Sequence, residues 1–573
     1  MRGCLRGFTD PPDSIPIHDF VGDERYGRHP FNKSQNPFTC GLTGKTYTHA
    51  EFRERQELLA RSLSKRMGWR PNEDTPWDKV LGLFSLNTID YLMSTYAVHR
   101  LSGIVTPANA MYSVGELEHQ LKSSGAKALF TCPSLLDNAL KAARASNIPD
   151  DKIFLLAVPG QESDPRFKTL DDLIAEGRSL PELEALHWTK GQGARQTAYL
   201  CYSSGTSGLP KAVMISHRNI IANIMQIRWH EDTGRRYAGV ETQTCVGLLP
   251  MSHIYALVVV ANAGAYRGDR VIVLPRFELK TLLESIQRFK IDFMHLVPPI
   301  IIQLLRNPSL CANYDLSSVR FVFTGAAPLG AETHEDMRKA FPSITVGQGY
   351  GLTETSTVVL GTSEHDVMVG SSGSLVPGTR AKLLGEDGRE ITAYDTRGEL
   401  LVQSPSVTLG YLHNERATAE AFVFDGDGGR WMRTGDVAVV WVSEKGYEHL
   451  AVVDRLKELI KVKGHQVAPA ELEAHLLTHP AVNDCTVIPV SDDKAGEVPK
   501  AFVVKSAAVA GRSDEEVARE ICKHVEDHKA RYKWLQGGVE FIDVVPKSPS
   551  GKILRRILKD KEREARRAKG AKL

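Results

Sequence analysis

Along the chain, short runs of apolar residues alternate with stretches whose apolar positions recur every three or four residues. The runs read as strands buried on both faces and the periodic stretches as amphipathic helices, so the pattern predicts an α/β protein of layered sheets and helices. Three stretches are more specific. Residues 196–204 read as a strand, a Gly-rich loop continues to Lys211, and Ser216 stands at an N-cap position before a helix to about Trp229. Residues 320–323 read as a strand entering a Gly-Ala-Ala-Pro turn, and residues 347–354 as a Gly-rich turn ending in polar side chains. Near the C-terminus Pro469 fits a first helical position, and Ser513 with Glu516 forms a capping-box pattern ahead of Val517, Ile521 and Val525. The most apolar run, residues 254–266, falls short of the ~20 residues needed to cross a bilayer, so no transmembrane segment is expected.

A chain of 573 residues exceeds the size at which one core stops growing, so at least two domains are expected. No repeat or low-complexity linker separates them, which predicts a short joint, and a small α/β unit is sketched after about residue 456. Apolar residues at 42% and charged residues at 24% describe an ordinary folded protein. A formal charge of +2 gives no argument for nucleic acid or a membrane surface as partner, although residues 547–573 hold eleven Lys/Arg against three Asp/Glu, a charge of +8 expected of a solvated basic helix end. The eight cysteines are scattered, with no CxxC pair and no metal-ligand spacing, and are expected to be reduced thiols.

The densest chemistry lies in Tyr202-Ser203-Ser204-Gly205-Thr206-Ser207-Gly208-Leu209-Pro210-Lys211. Glycines allow close backbone approach to phosphate oxygens, hydroxyls and amides donate to them, and Lys211 supplies a cation. Pro210 stands where a Walker loop needs Gly before Lys, so this is a phosphate loop of another kind.

The loop resembles the phosphate-binding signature of the adenylate-forming superfamily, which includes acyl-CoA synthetases, 4-coumarate–CoA ligases and firefly luciferases. Further segments agree in the superfamily's order: residues 250–255 (PMSHIY), 349–355 (GYGLTET), 433–436 (RTGD), 454–467 (DRLKELIKVKGHQV) and 549–556 (PSGKILRR). The resemblance runs from about residue 40 to 560. It implies a large N-terminal domain, residues 1–456, that binds nucleotide and acyl group, and a small mobile C-terminal domain, 457–573. It implies ATP and CoA as co-substrates, Mg2+ as the metal, and a small-molecule carboxylic acid as the third partner. By the same resemblance Lys552 is the adenylation lysine, Glu354 the carboxylate for the metal and Thr353 a phosphate contact. Tyr350 would stack on adenine, Asp436 accept from the ribose hydroxyls and Arg455 support the ribose or phosphate, with main chain near Ala326, Gln348 and Gly349 lining the nucleotide. The chemistry asks for such groups, because a carboxylate attacking an α-phosphate brings two anions together and needs cations and oriented dipoles.

Transfer to CoA would need a second arrangement, which the superfamily reaches by rotating the C-terminal domain. Lys457 matches the hinge; rotation would bring in Lys461, Lys463 and Gly464, and His253 would gate the acyl carboxylate. Ser207 stands where many relatives have Thr, Val462 where an aromatic is common, and Arg276 where 4-coumarate–CoA ligases have a lysine that contacts CoA. The acyl pocket implied by resemblance comprises Ile254, Tyr255, Val259, Ala326, Gly351 and Val358, apolar with one phenolic hydroxyl, and suits an aryl (hydroxycinnamate-like) or medium-chain acid rather than acetate or a charged tail. A stand-alone adenylating enzyme that loads a carrier protein shares the first half-reaction and is the alternative. The terminus Ala571-Lys572-Leu573 differs by one conservative change from the Ser-Lys-Leu address read by the peroxisomal import receptor, so a peroxisomal location is expected.

Overall fold

The computed structural model describes residues 8–203, 210–463, 465–492, 495–547 and 552–570, with side chains to 565. Ser204, Gly205, Thr206, Ser207, Gly208, Gly464 and the tail Ala571-Lys572-Leu573, all singled out above, lie outside the described residues.

Two large sheets share one apolar core. In the nine-stranded sheet Thr345–Leu352, Phe321–Thr324, Phe293–Leu296, Thr244–Gly247, Arg270–Val273 and Phe38–Cys40 run parallel in that spatial order, with antiparallel strands at both ends. In the seven-stranded sheet the parallel pairing of Val80–Phe84 with Ile104–Ala108 continues to the antiparallel pair Thr197–Ser203 and Lys211–Ser216. Val80–Phe84 is buried at every position, as a strand covered on both faces must be. A six-stranded antiparallel sheet carries Arg430–Val442 and Glu448–Arg455. A five-stranded sheet beginning at Ile460–Val462 packs with helices Pro469–Leu476 and Asp514–His528 around its own core, from Ile460 to Leu558. Four residues, 456–459, join Arg455 to that last sheet, and Lys457 is exposed in the turn they form.

Several local expectations shift. The 347–354 stretch is not a turn: it belongs to the strand Thr345–Leu352, followed by one helical turn at Thr353–Thr355. Gly347 and Gly349 alternate along it, and the pairing shifts register between Tyr350 and Gly351. A Cβ on Gly347 would stand 2.5 Å from the Phe321 ring, one on Gly349 2.3 Å from the Phe323 ring, and one on Gly351 1.4 Å from Thr357 O. The glycines are there to let neighbouring groups lie against the strand. Ser216 caps its helix reciprocally with Asn219, but the helix runs His217–Ala238, past Trp229, until Gly239 takes φ +67°. At Ser513 half the capping box forms: Ser513 Oγ accepts from Glu516 N, while the Glu516 carboxylate pairs with Arg512. The apolar run after His253 is a buried helix of wide, π-type winding at Tyr255–Asn262, continued by Ala263–Arg267. No helix among the described residues is long and apolar enough to cross a membrane, and the seven described cysteines are free.

Candidate active site

The site forms where Thr345–Leu352 leaves the nine-stranded sheet and meets the antiparallel sheet. Asp436 and Arg455 are direct cross-strand partners, with the guanidinium Nε 3.5 Å from Asp436 Oδ1. Tyr350 Oη donates to the other carboxylate oxygen at 2.6 Å. Burial raises the Asp436 pKa, opposed by Arg455, the Tyr350 hydrogen bond and Lys552. The resemblance assigns Tyr350 to adenine alone; its bond to Asp436 spans 86 residues and leaves no signal in the sequence. The Gln348 side chain is engaged elsewhere: its Oε1 accepts from Leu329 N at 2.9 Å, tying down the loop after Phe321–Thr324. Ala326 in that loop is exposed and holds φ +68°, a left-handed conformation that costs a non-glycine residue about 1–2 kcal/mol.

Glu354 is buried beside this cradle. Ser203 Oγ and Tyr411 Oη both donate to its Oε1 at 2.9 Å, and its Oε2 has no hydrogen-bond partner among the described residues. Tyr411 escaped the sequence reading, since it arrives from a two-residue strand, Gly410–Tyr411, that pairs with Lys211–Ser216. Lys211 sits opposite Ser203 in the strand register, and its ammonium lies 5.1 Å from the centre of the Tyr411 ring. Thr353, partly exposed at the start of the helical turn, leaves its hydroxyl without a partner among the described residues.

Lys552 comes to the same place from the far end of the chain. Burial and the neighbouring Arg455 push its pKa down to about 8, while Glu354 and Asp436 pull it back up. The groups acting on it are thus those of the nucleotide cradle and the carboxylate. Burial, then Lys552, lowers the His253 pKa to about 4, so this imidazole is neutral at physiological pH. Its Nδ1 accepts from Tyr255 N at 3.2 Å, which assigns the ring proton to Nε2 and makes His253 a donor there.

The acyl-pocket residues divide. Ile254, Tyr255, Val259 and Val358 are buried, whereas Ala326 and Gly351 are exposed, Gly351 with no room for a side chain. Tyr255 Oη donates to Phe323 O at 3.0 Å, so the phenolic hydroxyl expected to line the pocket is spent on main chain. Val259, Val358 and Phe323 share a cavity with His230, Glu231, Arg235 and Gln243, so its lining is not wholly apolar as expected. Behind them Arg267 and Arg235 both pair with the fully buried Asp269.

The remaining calls lie apart. Lys461 and Lys463 are exposed on the hairpin Ile460–Val462 and His465–Val467, and no described contact joins either to Glu354, Asp436 or His253. Lys463 holds φ +48° and its N donates to Ala495 O at 2.9 Å. Arg276 is exposed past Arg270–Val273, with no ion pair among the described residues.

Residues 25–412 match the family described as AMP-binding enzyme, and residues 471–552 match the AMP-binding enzyme C-terminal domain. The acyl-CoA ligase cm3C of Cordyceps militaris is 40% identical over 96% of this chain and 88% of its own. The 4-coumarate–CoA ligase 4 of Arabidopsis thaliana is 32% identical over 96% of this chain and 92% of its own. Among solved structures, an anthranilate CoA ligase, AuaEII, in complex with anthranoyl-AMP superposes with a TM-score of 0.81 at 23% identity, covering 97% of this chain and 99% of that one, which shows the shared fold.

Proposed function

The chain belongs to the AMP-binding enzyme family and is an ATP-dependent, AMP-forming carboxylate–CoA ligase acting through an acyl-adenylate; from that premise we propose how its residues divide the work and which acids it takes. The observation that carries the reading is Lys552, a C-terminal cation drawn among Arg455, Glu354, Asp436 and His253 of the N-terminal part. In this arrangement a substrate carboxylate attacks the α-phosphorus of ATP, the bond to pyrophosphate breaks, and the Lys552 ammonium offsets the repulsion between the two anions. Lys211, beside the loop 204–209, balances the departing pyrophosphate. Asp436 and Tyr350 hold the ribose and adenine, and His253 donates from Nε2 toward the substrate carboxylate. Glu354, whose Oε2 has no hydrogen-bond partner among the described residues, fits the hard oxygen-ligand preference of Mg2+ and would hold it, together with the Thr353 hydroxyl; bound there, the ion would neutralise phosphate charge.

For the second half-reaction residues 457–573 turn about Lys457, withdrawing Lys552 and presenting Lys461, Lys463 and Gly464, with Arg276 meeting CoA. The thiol then attacks the acyl carbon and AMP leaves. The acid we propose is an aryl or medium-chain acid packed against Val259 and Val358, and the polar groups in the cavity lining favour one that carries a hydroxyl. A panel of such acids with ATP, Mg2+ and CoA, read as AMP and thioester, tests this. Adenylate formation without CoA-dependent product would favour the carrier-protein reading, and activity on acetate alone would remove the pocket assignment. We also propose entry into peroxisomes through Ala571-Lys572-Leu573; deleting these residues should leave an active enzyme outside the organelle, and unchanged location would refute it.

A further inference from the structure

Away from the catalytic cleft, two helices of the C-terminal part turn four histidines toward one another. His475 lies on Pro469–Leu476 with His479 just beyond its end, and His524 and His528 lie on Asp514–His528. Each pair has the His-x3-His spacing, which for His524 and His528 places two imidazoles on one helix face. The His475 and His524 rings stack at 4.3 Å with 3° between their planes, His528 lies 5.3 and 5.0 Å from them, and His479 lies 5.0 Å from His524. His475, His524 and His528 each present a ring nitrogen within 4.8 Å of the others.

Four imidazoles at this spacing repel one another when protonated, so the cluster needs a reason to be neutral and a use for its lone pairs. The hydrogen bonds supply the geometry. The main-chain oxygen of His524 is within reach of both His475 Nε2, at 3.3 Å, and His528 Nδ1, at 2.8 Å. A carbonyl can only accept, so both rings are protonated on those nitrogens and their opposite nitrogens carry lone pairs. His524 Nε2 in turn meets Thr478 Oγ1 at 3.1 Å, which orients the third ring. A ligating histidine characteristically has its second nitrogen held by a carbonyl or hydroxyl in this way, which fixes the tautomer; because the lone pairs lie in the ring plane, the stacked His475 and His524 rings turn before both reach one ion.

We propose that His475, His524 and His528 form a binding site for a divalent transition-metal ion of the imidazole-preferring class, Zn2+, Ni2+ or Cu2+, with His479 in reach as a fourth ligand. The site is independent of the acid that the enzyme activates. It sits where Pro469–Leu476 packs against the helix Ala331–Ala340 of the N-terminal part, with Glu332 facing His475, so occupancy and the orientation of the two parts are linked.

The test uses the full-length chain without a polyhistidine tag, stripped with EDTA and titrated with Zn2+ by calorimetry and with Co2+ by visible absorption. One tight equivalent is expected, with the d–d bands of a nitrogen-ligated Co2+ and a Zn2+-dependent rise in melting temperature. Both His524→Ala and His528→Gln should weaken Zn2+ binding by about 10- to 100-fold or more while retaining pyrophosphate exchange, which reports that the chain still folds. Absence of stoichiometric binding, or binding of equal affinity in His524→Ala, would overturn the assignment. If His524→Ala loses exchange, His528→Gln and Thr478→Val decide by the same titration.

Discussion

Tyr350 and Asp436, 86 residues apart, share a 2.6 Å hydrogen bond in which the phenol donates to a buried carboxylate that Arg455 also approaches. The carboxylate therefore arrives at the nucleotide already oriented, with Oδ1 facing a cation and Oδ2 held by a phenol. Tyr350→Phe should keep the ring and lose the donor, raising the KM for ATP in pyrophosphate exchange. Removing a hydrogen bond to a charged group costs roughly 1.5–3 kcal/mol, or about 10- to 150-fold. Asp436→Ala should be at least as damaging, and unaltered ATP dependence in that variant would mean that the nucleotide binds elsewhere.

Lys552 gives the adenylation step a pH dependence of known sign. Burial lowers its pKa to about 8, so the ammonium is present at neutral pH and is lost as pH rises through that value. The kcat/KM for adenylate formation should fall on the alkaline side near pH 8, since that ratio reports the free enzyme. Lys552→Arg keeps a cation to above pH 12 and should lower the rate while removing this limb. A limb that persists unchanged belongs to another group.

The separation of Lys463 from the cleft predicts a clean split between half-reactions. Lys552→Ala should nearly abolish adenylate formation yet accept supplied acyl-adenylate, whereas Lys463→Ala should exchange pyrophosphate normally and transfer slowly to CoA. Equal damage to both steps in both variants would refute the rotation.

Gly351 and Gly115 should respond oppositely to alanine. A methyl on Gly351 would enter the Thr357 carbonyl at 1.4 Å, whereas one on Gly115 meets nothing within 4 Å in the first turn of the helix Val114–Ser124. Gly351→Ala should cost about 3 kcal/mol or more, and Gly115→Ala should stabilise by about 0.5 kcal/mol. Chemical denaturation measures both.

Asp269 holds Arg235 and Arg267 in the core behind the acyl cavity, with Nη2 of Arg235 at 2.6 Å and Nε of Arg267 at 2.8 Å. Burial alone would raise its pKa, but the two guanidiniums keep it below the usual carboxylate value. Asp269→Asn leaves two buried guanidiniums sharing one carboxylate, Glu231, and should destabilise by about 3–5 kcal/mol, seen as a lower melting temperature in which ATP binding is preserved at low temperature. A wild-type melting curve would show that the cations find another partner.

The sequence made legible what is local. Residue types and spacing gave Ser216 its cap, Pro469 its helix start, and the order of the nucleotide motifs from Ser203 to Lys552. What escaped were relations across the fold. Gly347, Gly349 and Gly351 look like turn residues until Phe321 and Phe323 are placed over them, because only a neighbouring strand reveals why a Cβ is excluded. Tyr411 had no motif of its own, and the Tyr255 phenol looked available until Phe323 O was found to take it. The charged lining of the cavity beside Val259 and Val358 comes from His230, Glu231 and Arg235, on the part of the helix that runs past the expected end at Trp229.

The four-residue joint at 456–459 has a kinetic meaning. At no more than about 3.5 Å per residue it spans roughly 14 Å, so Lys552 never diffuses away and its local concentration over the cleft is on the order of millimolar or higher. Tethering that tight would arrest turnover if the two parts also bound one another strongly. The links between them include the polar pairs Gln466 with Glu386 at 2.7 Å and Ala470 N with Asp454 at 3.1 Å, and a small apolar cluster of Val437, Leu459 and Ala468. If residues 457–573 turn as proposed, the leash makes the return of Lys552 fast and leaves these contacts, together with the bound nucleotide, to set how long it stays.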